Sequence, residues 1–148
     1  MMKFPLDILH DRIILSVLFD APSYRIRLKR IGFCIDTGSP KTYISSGTAN
    51  IIKIPLSHLN SGEGITRLGG VKFSSFIMKN VELKLKTDQS SLQSFKIPEI
   101  EVLNPTKTTE EAKNVAYSTP SIVGLDFLRE NNLKFYCDIA KDEAYLED

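Results

Sequence analysis

Phe33-Cys34-Ile35-Asp36-Thr37-Gly38-Ser39 decides the reading of this chain. An apolar run delivers a carboxylate straight out of a core, and a hydroxyl residue and a glycine follow at once. Each residue type has a task in acid–base chemistry. Asp36 is the candidate acid/base, useful once the cost of its charge is managed. Thr37 offers a hydroxyl that both donates and accepts and so can tie a loop down. Gly38 lacks a Cβ, so its backbone N–H can approach the carboxylate closely. Ser39 adds a further donor. Alone the tripeptide is weak evidence, arising by chance in roughly a few per cent of chains this long. The plain alternative is a turn at a strand end, which Asp, Thr and Gly also suit. The surrounding pattern argues for more.

Working backward, Tyr24 to Ile35 alternates and then becomes wholly apolar, as a strand does on entering a core. Arg12 to Phe19 is an earlier Ile/Leu/Val-rich run, and Asp20-Ala21-Pro22-Ser23 reads as the turn between them. The basic residues Arg25, Arg27, Lys29 and Arg30 alternate with Tyr24, Ile26 and Leu28, the mark of a solvated strand face. With 19 basic against 18 acidic residues and a net charge of +1, nucleic acid is not the expected partner.

Working forward, Thr42 to Ser45 is β-prone and Thr48 to Lys53 suits one or two helical turns, stopped by Pro55. Leu56 to Glu63 reads as loop. Gly69-Gly70 between Ile65–Leu68 and Val71–Phe73 predicts a hairpin, because paired glycines accept the positive φ of tight turns. Val81 to Lys86 alternates as a strand, Thr87 to Ser94 reads as loop, and Phe95 to Leu103 as a strand with Pro98 at an edge or bulge. The long polar connection Asn104 to Pro120 contains a short helix over Thr109 to Val115, capped by Thr108 or Thr109. Ser121-Ile122-Val123 is a second apolar run ending in glycine, at Gly124, and Leu125 to Asn131 is a short helix. Leu133 to Ile139 and Glu143 to Glu147 form a last hairpin. Many short strands with one late helix predict an all-β, barrel-like domain spanning residues 1–148.

Cys34 and Cys137 lie far apart, outside any CxxC pair, and sit in apolar strand patterns. Buried free thiols are expected rather than a zinc site or a disulfide. His10 and His58 read as surface residues. The amino terminus lacks a signal-peptide pattern, and no stretch approaches the roughly 20 apolar residues of a membrane span. No membrane partner and a cytoplasmic location are expected.

Asp36-Thr37-Gly38 after an apolar strand, a glycine-bearing hairpin, then Ile122-Val123-Gly124 before a short helix: in this order the elements resemble the retropepsin-like aspartic proteases, from about Arg12 to Glu147. The resemblance implies an acid-protease barrel with one lobe per chain. It implies an aspartic endopeptidase with Asp36, Thr37 and Gly38 as its catalytic loop, Thr37 bonding across subunits. Ile122, Val123 and Gly124 would cross beneath that loop. Ser39, Leu68, Gly69, Gly70, Val71 and Ile122 would meet a polypeptide substrate, the middle four at a flap tip or in a plain hairpin turn. Ser39-Pro40 and the long Asn104–Pro120 loop depart from the viral pattern, so substrate pockets do not carry over. Asp126 reads as structural, favoured at a helix start. Pepsin-type chemistry needs two carboxylates, and no second Asp-(Ser/Thr)-Gly occurs, so a C2 homodimer is implied, with interface strands from the chain ends. No metal or organic cofactor is called for. The rival reading is a catalytically silent peptide-binding or scaffold module on the same fold.

Overall fold

The computed structural model describes residues 1–148. The Ile/Leu/Val-rich run becomes β3 (Arg12–Ala21), preceded by two three-residue strands, β1 (Lys3–Pro5) and β2 (Asp7–Leu9). The alternating stretch becomes β4 (Ile26–Ile35), antiparallel to β3. The pairing slips where Asp20 faces Arg27 and Leu28. There the Asp20 carboxylate, 5% exposed, accepts the Leu28 N–H at 3.2 Å and the Arg27 Nε–H at 2.9 Å. Leu28 takes a positive φ of 48°, so a buried side chain holds a bulge that the backbone ladder leaves unpaired.

Beyond the Asp36 loop come β5 (Tyr43–Ile44) and α1 (Ser46–Ile51). Ser45 caps α1 by accepting the Thr48 N–H, which starts the helix two residues earlier than the apolar spacing suggests. Next are β6 (Asn60–Leu68), β7 (Val71–Lys86) and β8 (Leu92–Pro105). Gly69 and Gly70, at φ 57° and 78°, make the expected turn between β6 and β7. Two loop expectations need correction. Leu56–Glu63 holds a 3-10 turn and then the first residues of β6. Thr87–Ser94 gives way to β8 at Leu92. β6 ends the sheet, so its polar residues lie exposed on an edge with no apolar alternation to reveal a strand. The separate Val81–Lys86 strand is the far half of the 16-residue β7. Asn80, at φ 56°, disturbs its alternation, and the β7–β8 register passes over Asn80 and Pro98.

The remaining elements are α2 (Glu110–Ser118), β9 (Ser121–Val123), α3 (Leu125–Glu130), β10 (Lys134–Asp138) and β11 (Glu143–Glu147). Thr109 caps α2 through the Ala112 N–H. Eight strands run in the order β2-β3-β4-β9-β5-β8-β7-β6, and β3 also pairs with β7, which closes the sheet into a barrel. The other three form a small sheet, β1-β11-β10, so the two chain ends pair with one another inside the protomer.

A cluster of 28 buried residues fills the barrel, anchored by Phe4, Phe19 and Phe33, none of them exposed. Burial of each such ring contributes about 1.5–3 kcal/mol. The Phe4, Phe95 and Phe127 rings run in contact from the small sheet through β8 to α3, with centroids 5.5 and 5.7 Å apart. Cys34 is half-buried as an unpaired thiol. Cys137 departs from expectation: it is exposed, because β10 is an outer strand of the small sheet. His10 and His58 are at the surface. No helix is long and apolar enough to cross a membrane.

Candidate active site

Asp36 stands one residue past the end of β4, where the apolar run has just carried the chain out of the core. Its backbone is fixed at both ends. The Asp36 N–H donates to the Val123 carbonyl at 3.0 Å, and its own carbonyl accepts the Ser39 N–H at 3.1 Å. The Gly38 N–H donates to Asp36 Oδ1 at 2.9 Å, as the absence of a Cβ at Gly38 allows. Oδ2 is left without a protein partner. Asp36, Thr37 and Gly38 are all exposed in the protomer, and the Thr37 hydroxyl makes no hydrogen bond within it.

The support for this loop comes from the second apolar run. β9 lies parallel to β4, with Phe33, Cys34 and Ile35 beside Ser121, Ile122 and Val123. Gly124 then passes directly under the loop. A Cβ there would sit 2.5 Å from the Lys41 carbonyl oxygen and 2.6 Å from that of Ser39, closer than atoms can approach. Glycine is therefore required by contact rather than by turn geometry. The Leu125 N–H donates to the Ser39 carbonyl at 2.9 Å, tying α3 to the loop.

Asp126 turns out to be the second fastener. Its two oxygens take the Thr42 hydroxyl at 2.7 Å and the Thr42 N–H at 3.1 Å, while the Phe127 N–H also reaches Oδ1. Thr42 Oγ1 in turn accepts the Gly124 N–H at 3.0 Å. The structural reading of Asp126 holds, but helix-dipole complementarity is the smaller part of it. Deeper in, Ser121 Oγ bonds the Ser45 N–H and the Thr48 hydroxyl, joining β9 to the start of α1.

Across β4, β9 and β5 the residues Cys34, Ile122 and Tyr43 stand at one level of the sheet. Paired positions share a face, so these three form a row beside the Asp36 loop. Both ionisable members feel its charge. Burial pushes the Tyr43 hydroxyl up from its usual 10, and the Asp36 carboxylate pushes it further. Burial likewise raises the Cys34 thiol, opposed by the Arg12 guanidinium and reinforced by Asp36. The family resemblance named Ile122, which is only 5% exposed here, and passed over Tyr43 and Cys34. The one available signal was the period-2 spacing of Cys34 from Asp36 on an emerging strand.

Ser39 is half-buried, its hydroxyl turned back onto the Lys41 carbonyl at 2.7 Å. Leu68, Gly69, Gly70 and Val71 form the hairpin tip, which leans on α2: a Cβ on Gly69 would be 3.2 Å from Val115 Cγ1. Leu68, Val71, Val115 and Tyr43 all pack on a small cluster of Phe73, Leu103 and Ala116. The hairpin and the Asp36 loop are thus joined through Tyr43. None of the larger clefts of the protomer is lined by Asp36. No group of three His, Cys, Asp or Glu side chains converges as a metal-binding cluster.

No protein-family model and no curated protein matches the chain. Among solved structures it is similar to a retropepsin-like aspartic protease from Rickettsia conorii, with a TM-score of 0.59, 15% identity and 97% of both chains covered. It is also similar to EIAV protease in complex with an inhibitor, with a TM-score of 0.52 and 18% identity over 87% of this chain and 96% of that one. The chain has the retropepsin-like fold.

Proposed function

We propose that this retropepsin-like chain is one half of an aspartic endopeptidase, a single domain whose active site forms when a C2 homodimer brings Asp36 beside its own copy. The observation that carries the reading is the Asp36 loop: a carboxylate held through one oxygen by the Gly38 N–H, with the other oxygen free, on backbone clamped by β9 and Gly124. Two such carboxylates at hydrogen-bond distance cannot both be ionised, as is well known for the aspartic-protease dyad, so the pair shares one proton. The ionised member takes a proton from water as it attacks the peptide carbonyl, and the protonated member donates to the carbonyl oxygen. A second proton transfer to the amide nitrogen releases the products. The two titration steps belong to the pair, and activity is confined to the pH interval between them.

The exposed Asp36 and the unbonded Thr37 hydroxyl fit a surface completed by a partner subunit, with Thr37 bonding across the twofold axis. The outer edges of β1 and β10 are open for strand pairing at the chain ends. An extended peptide would lie along the Cys34–Ile122–Tyr43 row beneath the Leu68–Val71 hairpin. Two unpaired thiols support a reducing, cytoplasmic setting.

The test is Asp36→Asn. Peptide hydrolysis by the wild-type protein should disappear in the variant while its sedimentation as a dimer is kept, and wild-type specific activity should fall on dilution. Full activity in the variant would refute the reading. The exposure of Asp36 in the single protomer favours one second reading, a silent peptide-binding module. A wild-type protein that stays monomeric at all concentrations, binds peptides and cleaves none would select it.

A further inference from the structure

A cleft of about 480 Å³ lies away from Asp36, between α1 and α2. That falls within the roughly 300–1,000 Å³ of ligand-sized sites. Lys53, Lys107 and Lys113 line it, and no Asp or Glu does. In a chain of net charge +1 this is a local excess of positive charge. None of the three takes part in an ion pair, whereas Lys41, Lys84 and Arg27 each hold a carboxylate. The floor is apolar, formed by Ala49, Ile54 and Ala116. Lys113, Ala116 and Tyr117, at i, i+3 and i+4, present one face of α2 to it. Tyr117 is 64% exposed and packs over Gly47 of α1, closing one wall.

We propose that this cleft binds an extended acidic peptide segment, its carboxylates opposed by Lys53, Lys107 and Lys113 and an aliphatic side chain seated on the floor. Two features select a peptide over a simple anion. Asn50 and Asn104 line the wall; the Asn50 side-chain amide has no hydrogen-bond partner and that of Asn104 only a 3.5 Å contact to its neighbour's carbonyl. A side-chain amide can both donate to and accept from a peptide group. The cations, moreover, are dispersed lysines rather than a guanidinium fork or a cradle of backbone N–H groups. The cationic track also continues. Lys107 lines a second cleft of about 260 Å³ with Arg67 and Lys72, where Glu111 is the one acid. An extended chain crossing Lys107 would meet both clefts. The second cleft also borders Gly70 and Val71 of the hairpin tip, so a peptide spanning both clefts reaches the hairpin, but its binding does not require hydrolysis at Asp36.

The experiment uses the full chain carrying Asp36→Asn, so that cleavage does not enter. Fluorescence anisotropy is measured with a labelled peptide of alternating Glu and Leu. The peptide should bind at low salt, weaken as salt rises, and bind about tenfold or more weakly to the K53E/K107E/K113E variant. Tyr117→Ser should give a smaller loss, and a Lys/Leu peptide should not bind. Absence of binding at low salt, or equal binding to the triple variant, overturns the proposal. It is equally overturned if a Glu/Ser peptide binds as well as the Glu/Leu peptide and tripolyphosphate displaces both, since the cleft is then a plain anion site.

Discussion

The Asp36 loop and the β6–β7 hairpin both come close to Tyr43, yet they are held by different means. The loop is fastened by backbone and short polar bonds from two elements: β9 through the Val123 carbonyl, and α3 through both the Leu125 N–H and the Asp126 carboxylate on Thr42. The hairpin tip rests on α2 by apolar contact alone, on a cluster with three fully buried residues against 28 in the barrel. Directional bonds specify one position, while apolar contact permits sliding. The loop is therefore the more tightly specified of the two, while the hairpin, bonded at its base through the Lys72 carbonyl to Thr106 at the end of β8, is specified less tightly at its tip. Tyr43 is where the two meet.

Gly124→Ala should disrupt the tightly specified side most, since the new methyl meets backbone oxygens that have nowhere to move. A loss of about 3 kcal/mol or more is expected in denaturant unfolding. A loss below 1 kcal/mol would mean that the loop gives way and is not the more tightly specified region. Asp126→Ala leaves the Thr42 hydroxyl and N–H and the Phe127 N–H without their acceptor, and should cost about 2–3 kcal/mol. The conservative Asp126→Asn keeps an acceptor and should recover part of that. On the less tightly specified side, Val115→Ala should cost only about 1 kcal/mol. Its signature is local: faster amide hydrogen exchange over Leu68–Val71 with little change at Asp36–Ser39. Equal acceleration in both segments would erase the distinction between the regions.

The smallest effect tests the meeting point. Tyr43 holds its proton to a higher pH in the folded state than its ordinary 10, first through burial and then through Asp36. Above about pH 10 the unfolded chain therefore binds fewer protons than the folded one, and stability falls as pH rises. Tyr43→Phe should flatten this alkaline limb. Asp36→Asn should lower the Tyr43 midpoint by removing a nearby negative charge, as read from phenolate absorbance. An unmoved midpoint would separate the cluster from the loop.

The loop and its support were readable because each is a contiguous run with a marked end: Ile35 into Asp36, Val123 into Gly124. The cap of α2 was readable in the same way from Thr placement, whereas α1 was placed two residues late and its cap, Ser45, was not marked by any local pattern. Pairwise facts stayed hidden. Tyr43 gains its place from Ile122, a partner far along the chain, and no local pattern marks that. β6 has polar residues because it is an edge, and an exposed edge has the composition of a loop. Cys137 lies in an apolar stretch, yet exposure follows from which strand lies next to it and not from its neighbours in sequence.

The Asp20 bulge bears on how the protein survives at high concentration. Along Ile26 to Gly32, β4 has a partner only on the β3 side, so a row of backbone donors and acceptors faces outward and could template a foreign strand. The bulge twists that edge out of register, and Arg25, Arg27, Lys29 and Arg30 surround it with like charge. Both devices discourage edge-to-edge aggregation. On this argument the basic run leaves the open edge a poor template for a foreign strand, and Asp20, through one buried carboxylate, holds the bulge that shapes it.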